Sequence, residues 1–149
     1  ALRWHILPKA DLLTPNRPEA ELLADMKIDS EKDIDVAARK LLDMGPKAVL
    51  IKGGHFGSAS AAEFTDWLAL PDEPLIALKQ PGVKTSNNHG TGCTLSAAIA
   101  TYLGLGLGIR DAIVHAQKFL NHCLRHGYAP GLGAGPPNHA SWIAKRVGE

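Results

Sequence analysis

Cysteine is scarce in this chain of 149 residues: Cys93 and Cys123 are the only two, too few for a disulfide-built scaffold. Aromatic residues make up only 5%, and no continuous apolar run reaches the length of a spanning helix. The longest charge-free stretch, Thr85 to Ile109, holds Asn87, Asn88, His89, several Thr and Ser and five glycines, which excludes a membrane segment. Net charge is small as well. Sixteen Lys and Arg against fifteen Asp and Glu give +1, so the total announces no polyanion-binding surface and no nucleic-acid partner is expected. The N-terminal residues lack the basic, apolar, small-residue order of a signal peptide, and a reducing cytoplasm is the expected compartment.

What is present suits one soluble domain with a real core: 45% of the residues are hydrophobic and 21% charged, in a chain too short for two ordinary domains. Charge is unevenly spread. Residues 1–84 carry eleven bases and thirteen acids, whereas residues 85–149 carry five bases, two acids (Asp111 and Glu149) and five of the seven histidines. An anion therefore has its better prospects in the second half.

Helical and extended patterns alternate along the first half. Ala1 to Lys9 reads equally as the end of a helix or an extended lead-in. Ala10 to Thr14 is a short strand candidate, and Thr14-Pro15-Asn16-Arg17-Pro18-Glu19 turns the chain into a helix over about 19–26, capped by Asn16. Ser30 and Asp33 have capping-box spacing ahead of Ile34, Ala37, Ala38, Leu41 and Leu42, a helical stripe that Gly45-Pro46 stops. Ala48 to Lys52 then reads as a strand buried on both faces of a parallel sheet. Such alternation points to α/β layering.

Beyond it, Phe64–Leu70 and Leu75–Lys79 read as an antiparallel flap joined by Pro71-Asp72-Glu73-Pro74. Thr91 to Tyr102, crowded with small and apolar residues, predicts a buried helix packed closely on a sheet. Ile109, Ala112, Ile113, Ala116, Phe119, Leu120 and Cys123 stripe the next helix, and 138–147 holds one more after a Gly/Pro-rich loop.

The segment with most chemistry is His89-Gly90-Thr91-Gly92-Cys93-Thr94, where a glycine-flanked turn opens a long helix. The first turn of a helix has unpaired N–H groups and partial positive charge, and glycines let the backbone approach a phosphate. The Gly-x-Lys-Ser/Thr ending of a Walker A loop is absent. On chemistry alone, a glycine turn made for close packing reads equally well.

Four motifs in order shift that balance. Thr14-Pro15-Asn16-Arg17-Pro18-Glu19, Lys52-Gly53-Gly54-His55, His89 to Thr94 and Gly133-Ala134-Gly135-Pro136-Pro137-Asn138-His139 closely resemble the C-terminal half of a ribokinase-superfamily kinase. The match is to the hydroxymethylpyrimidine/phosphomethylpyrimidine kinases of thiamine biosynthesis, with the vitamin B6 kinases as near relatives. The resemblance implies an α/β ribokinase-like three-layer sandwich with a mainly parallel sheet and a small antiparallel flap. It covers residues 1–149 as a single C-terminal portion, and the family's N-terminal substrate-binding half has no counterpart in this chain.

The implied reaction is ATP-dependent phosphorylation of 4-amino-5-hydroxymethyl-2-methylpyrimidine and then of its monophosphate, giving the diphosphate. Cys93 stands where most of the superfamily has a catalytic aspartate, as in the pyrimidine kinases and some pyridoxal kinases. Free cysteine titrates near pH ~8.5, and a helix N-terminus favours its thiolate. As a general base it would accept the substrate hydroxyl proton. Gly90, Thr91 and Gly92 would supply amides to the transferred phosphoryl group. Asn16 and Glu19 match the family's Asn-x-x-Glu motif, which is similar to one that organises Mg²⁺ and its waters, although that spacing is also a capping box. Lys52 would offer the phosphates a point charge, or snorkel at a strand end, and Lys118 would border the nucleotide.

Other readings fare less well. A cysteine-phosphatase loop needs an arginine a few residues past Cys93, and the next is Arg110. His122, Cys123 and His126 share a helix face but have no second cluster to complete a metal site, so no structural metal is expected. His139 belongs to the C-terminal signature of the pyrimidine kinases, with closure of a loop over the sheet as its structural role. Two alternatives stay open: a pyridoxal kinase-like enzyme, and a non-catalytic nucleotide-binding half completed by a partner chain or by self-association.

Overall fold

The computed structural model describes residues 2–53 and 63–147, without the side chains of residue 2 and residues 144–147. Two compact parts divide the chain, residues 1–80 and 81–149.

The first part opens with a turn of π-helix, Leu2–Ile6, and a 3₁₀ turn, Leu7–Lys9, which settles the lead-in as helical. Helix α1 (Arg17–Ala24) begins two residues before the expected Glu19, with Asn16 as its N-cap as the sequence suggests. Asn16 and Glu19 cap it reciprocally, and Pro18 sits in its first turn, where a missing N–H costs least. Helix α2 (Glu31–Leu42) starts with the expected box between Ser30 and Asp33. Its stripe of Ile34, Ala37, Ala38 and Leu41 is fully buried, together with Ala20 and Ala24 of α1 and Val49 and Ile51 of strand β1 (Val49–Ile51). These apolar faces form the core of this part.

β1 is buried throughout, as expected, but it is parallel on one side only. The strand expected at Ala10–Thr14 reduces to one parallel bridge, Leu13 to Val49, and a second, Asn16 to Lys52, lies just beyond it. On the other side lies β2 (Glu63–Ala69), antiparallel to β1 with Val49 opposite Ala69 and Ile51 opposite Trp67. β3 (Ile76–Pro81) completes the order β1-β2-β3. Arg39 of α2 donates to the carbonyls of Leu70 and Glu73, at 2.9 and 2.6 Å, and so holds both ends of the turn between β2 and β3.

The second part is helical. α3 (Thr91–Gly104) packs on α4 (Ile109–Arg125), and α4 packs on α5 (Ala140–Val147). The α4 stripe buries Ala112, Ile113, Ala116 and Cys123 as its periodicity requires. α3 corrects the expectation of a buried helix: Leu95, Ala98 and Ile99 are buried, but Ala97, Ala100 and Thr101 are exposed. Small residues carry so little apolar area that their burial cannot be read from composition. Among the described residues, no helix is long and apolar enough to cross a membrane.

Candidate functional site

Two groups of residues carry the chemistry read from the sequence, one in each compact part.

In the first part, the Asn16 side-chain oxygen accepts from the Glu19 N–H at 2.9 Å, and Glu19 Oε2 accepts from the Asn16 N–H at 2.7 Å. Each group satisfies a donor that the helix start would otherwise leave bare. Glu19 is exposed, and its second carboxylate oxygen takes no hydrogen bond among the described residues. Lys52 is half-buried just past the end of β1. Its N–H donates to the Pro15 carbonyl at 2.9 Å, and the Asn16 to Lys52 bridge sets its backbone beside the start of α1. The structure thus unites Asn16, Glu19 and Lys52 where two parallel segments leave the sheet, the end of a parallel sheet at which α/β proteins bind ligands. Gly54 and His55 of the Lys52 motif lie outside the described residues. A neighbouring cleft of about 380 Å³, lined by Asp29, Glu31, Gly53, Glu63 and Trp67, includes none of the three.

In the second part, Gly90 is the N-cap of α3, with φ +81° and ψ 9°. That left-handed conformation suits glycine, and a Cβ at this position would meet open space. The Thr94 N–H closes the first helical bond to the Gly90 carbonyl at 2.9 Å. Thr91 makes only a long 3.4 Å turn contact to the Asn88 carbonyl. Among the described residues the N–H groups of Gly92 and Cys93 have no partner, and no side chain caps the helix. Cys93 is exposed in this same turn. Free donors, the positive end of the helix and a thiol therefore share one accessible turn, an arrangement that can receive an anion.

Lys118 is exposed on α4, and among the described residues no hydrogen bond or ion pair joins it to the Gly90–Cys93 turn. Unlike the exposed Cys93, Cys123 is buried. Desolvation pushes the Cys123 thiol up to about 11. Its neighbours His122 and His126 stack at 4.3 Å between ring centroids and are bonded to carbonyls, His122 Nε2 with Ser141 and His126 Nδ1 with His122. Among the described residues no three His, Cys, Asp or Glu side chains are arranged to hold a metal ion.

Sequence reasoning missed how the C-terminal loop attaches. His139 Nε2 lies 2.9 Å from Thr94 Oγ1, and the His139 ring stacks on Phe119 at 6.2 Å and 14°. The Gly135 N–H donates to Asn87 Oδ1 at 3.1 Å, while the His89 N–H donates to the Gly135 carbonyl at 3.2 Å. No local pattern encodes such pairs, which are 45 and 48 positions apart for the two side-chain bonds.

A family model described as phosphomethylpyrimidine kinase matches residues 1–138. The chain is 46% identical over 140 residues to the hydroxymethylpyrimidine/phosphomethylpyrimidine kinase of Synechococcus elongatus, covering 93% of this chain and 51% of that protein. To the protein of the same description from Haemophilus influenzae it is 38% identical over 147 residues, covering 99% of this chain and 54% of that one. Among solved structures, the pyridoxal kinase from Staphylococcus aureus in complex with ADP superposes with a TM-score of 0.87 at 30% identity. The superposition covers 95% of this chain and 52% of that one. The chain spans about half the length of the curated relatives it matches.

Proposed function

The chain belongs to the phosphomethylpyrimidine kinase family, and from that premise we propose that it carries the phosphoryl-transfer half of an ATP-dependent kinase of thiamine biosynthesis. Its fold is ribokinase-like α/β, by likeness to solved kinases of that architecture. The proposed acceptor is the hydroxymethyl group of 4-amino-5-hydroxymethyl-2-methylpyrimidine, followed by the resulting monophosphate. The observation that carries the reading is the open first turn of α3, where unclaimed N–H groups of Gly92 and Cys93 stand beside an exposed thiol.

In this reading the amides of the Gly90–Cys93 turn neutralise charge on the group in transit. Cys93 accepts the acceptor's hydroxyl proton as the new O–P bond forms and the bond to the nucleotide breaks. Lys52 holds a point charge toward the nucleotide phosphates, and Lys118 borders the nucleotide. Related structures support nucleotide use: the Staphylococcus aureus pyridoxal kinase was solved with ADP and with AMP-PCP. The donor set suits Mg²⁺ as well, since Glu19 offers a hard, exposed carboxylate oxygen beyond the one spent on capping. Asn16 and Glu19 would hold that ion through its waters, and it would supply charge neutralisation at the phosphates. The compartment that fits this proposed chemistry is the cytoplasm, where thiols stay reduced and ATP is available.

The test is direct. ATP and hydroxymethylpyrimidine incubated with the folded chain should yield the pyrimidine diphosphate by mass spectrometry, with pyridoxal as the poorer acceptor. Faster turnover of pyridoxal would favour the pyridoxal kinases, which the structural likeness also supports. A second reading rests on the half-length match to the relatives: the chain binds nucleotide, turns nothing over alone, and gains activity with a complementing N-terminal half or a second copy of itself. Absence of product from a folded sample that still binds ADP would favour it.

A further inference from the structure

The C-terminal loop touches the anion-accepting turn on both flanks. Upstream, Gly135 exchanges two hydrogen bonds with the segment before Gly90, its N–H to Asn87 Oδ1 at 3.1 Å and its carbonyl from the His89 N–H at 3.2 Å. Downstream, His139 meets Thr94 Oγ1 at 2.9 Å, one residue past Cys93. The loop between these points is itself anchored. Asn138 donates to the Cys123 carbonyl at 2.9 Å, and its own carbonyl accepts from Ser141 Oγ at 2.6 Å. Phe119 carries both the His139 ring, stacked at 14°, and the edge of Trp142, at 90°. Gly135 is buried so tightly that a Cβ would fall 2.0 Å from the Tyr128 carbonyl oxygen and 2.5 Å from Asn87 Oδ1.

We propose that residues 135–139 form a two-point clasp that holds the Gly90–Cys93 turn in its anion-receiving shape, with His139 as the positioning residue. The inference rests on the reading of that turn as the phosphoryl site. Its physical basis is the turn's own lack of support: Gly90 brings no side chain, no side-chain cap closes α3, and the amides of Gly92 and Cys93 have no partner among the described residues. A glycine-rich turn left to itself samples many conformations, and donors that point in many directions bind an anion weakly. Bonds from a loop fixed to α4 remove that freedom before the anion arrives, which is preorganisation in the sense that matters for charge stabilisation. Thr94 and His139 bond near the surface, so the effect of losing this one bond is modest, about three- to tenfold in affinity.

The experiment titrates the full chain with inorganic phosphate and follows the amide resonances of Gly92 and Cys93. His139→Ala should weaken phosphate binding about three- to tenfold and speed amide exchange in residues 90–93 by a similar factor. His139→Gln, whose amide still reaches Thr94, should restore both. Thr94→Val removes only the hydroxyl and should match His139→Ala, with the double variant no worse than either; it serves equally if His139→Ala does not fold. Phosphate affinity unchanged in both single variants, or a wild-type turn whose resonances ignore phosphate, would overturn the clasp. A turn that binds phosphate and responds to these variants in a chain that forms no pyrimidine diphosphate would instead overturn the catalytic reading and leave the clasp standing.

Discussion

The main chains of Asn16 and Lys52 meet as a parallel bridge, so the N-cap of α1 and the exit of β1 are neighbours by hydrogen bonding rather than by side-chain chance. A polar cap and a cation thereby share one end of the sheet, each fixed by the backbone of the other's segment. This pairing brings a sequence motif at residues 14–19 and a second at residue 52 to one place in the fold.

Asn16 and Glu19 can be separated into their structural and chemical parts. Asn16→Ala should cost about 1 kcal/mol of stability in urea unfolding, the usual loss for a missing N-cap. Glu19→Gln keeps an acceptor for the Asn16 N–H and should leave the unfolding midpoint near wild type. Turnover in Glu19→Gln should nonetheless fall about 10- to 100-fold, the range seen when groups that orient a metal are altered. Unchanged turnover would mean that the capping box is the whole role of Glu19.

Cys93→Ala should lower turnover about 100-fold or more, the scale of a lost general base, while ADP affinity by calorimetry changes little. Because Cys93 is exposed, the thermal midpoint should move little. An unaltered rate would remove the thiol from proton transfer.

Acid should loosen the first part through Glu21. Its carboxylate accepts from the Ile28 N–H at 3.0 Å and faces Arg17 and Lys27, and these interactions, the Ile28 bond foremost, hold it below its ordinary value of 4.5. A lowered native value means that its stabilisation is present above pH 4.5 and is lost as the pH falls through the folded-state value. Glu21→Gln should therefore be less stable than wild type at pH 7, and the gap should narrow as urea midpoints are followed down to pH 3. A gap that stays constant with pH would exclude this linkage.

Gly135→Ala should destabilise the second part by about 1–3 kcal/mol, since its new methyl group has only backbone and the Asn87 amide to displace. Gly133→Ala, two residues away and facing open space, is the control and should be nearly neutral in the same thermal denaturation series.

The sequence spoke clearly where structure is local. Asn16 with Glu19 and Ser30 with Asp33 announced two helix starts by spacing alone, because a capping box is completed within four residues. The α4 stripe was equally plain, since a large amphipathic contrast survives any tertiary context. α3 misled because alanine and threonine pack or face water with little difference in free energy, so Ala97, Ala100 and Thr101 gave no signal of their exposure. β1 was recognisable as buried, yet its antiparallel partner β2 was not assigned to it: a continuous apolar run fixes burial on both faces but says nothing of neighbour direction. At the site, the glycines and Cys93 were legible as a helix entrance. The Thr94 to His139 bond was not, because it depends on how distant segments return to one another.

Arg39 offers a last lesson in how a surface loop can be held from outside. One planar guanidinium reaches two main-chain oxygens, those of Leu70 and Glu73, and needs nothing from the side chains between them. At the tip itself the constraint is of another kind, since Asp72, at φ +58°, takes a left-handed backbone that few side chains accept; a lysine in place of Arg39 would have a single point of attachment and would let one end of the turn go.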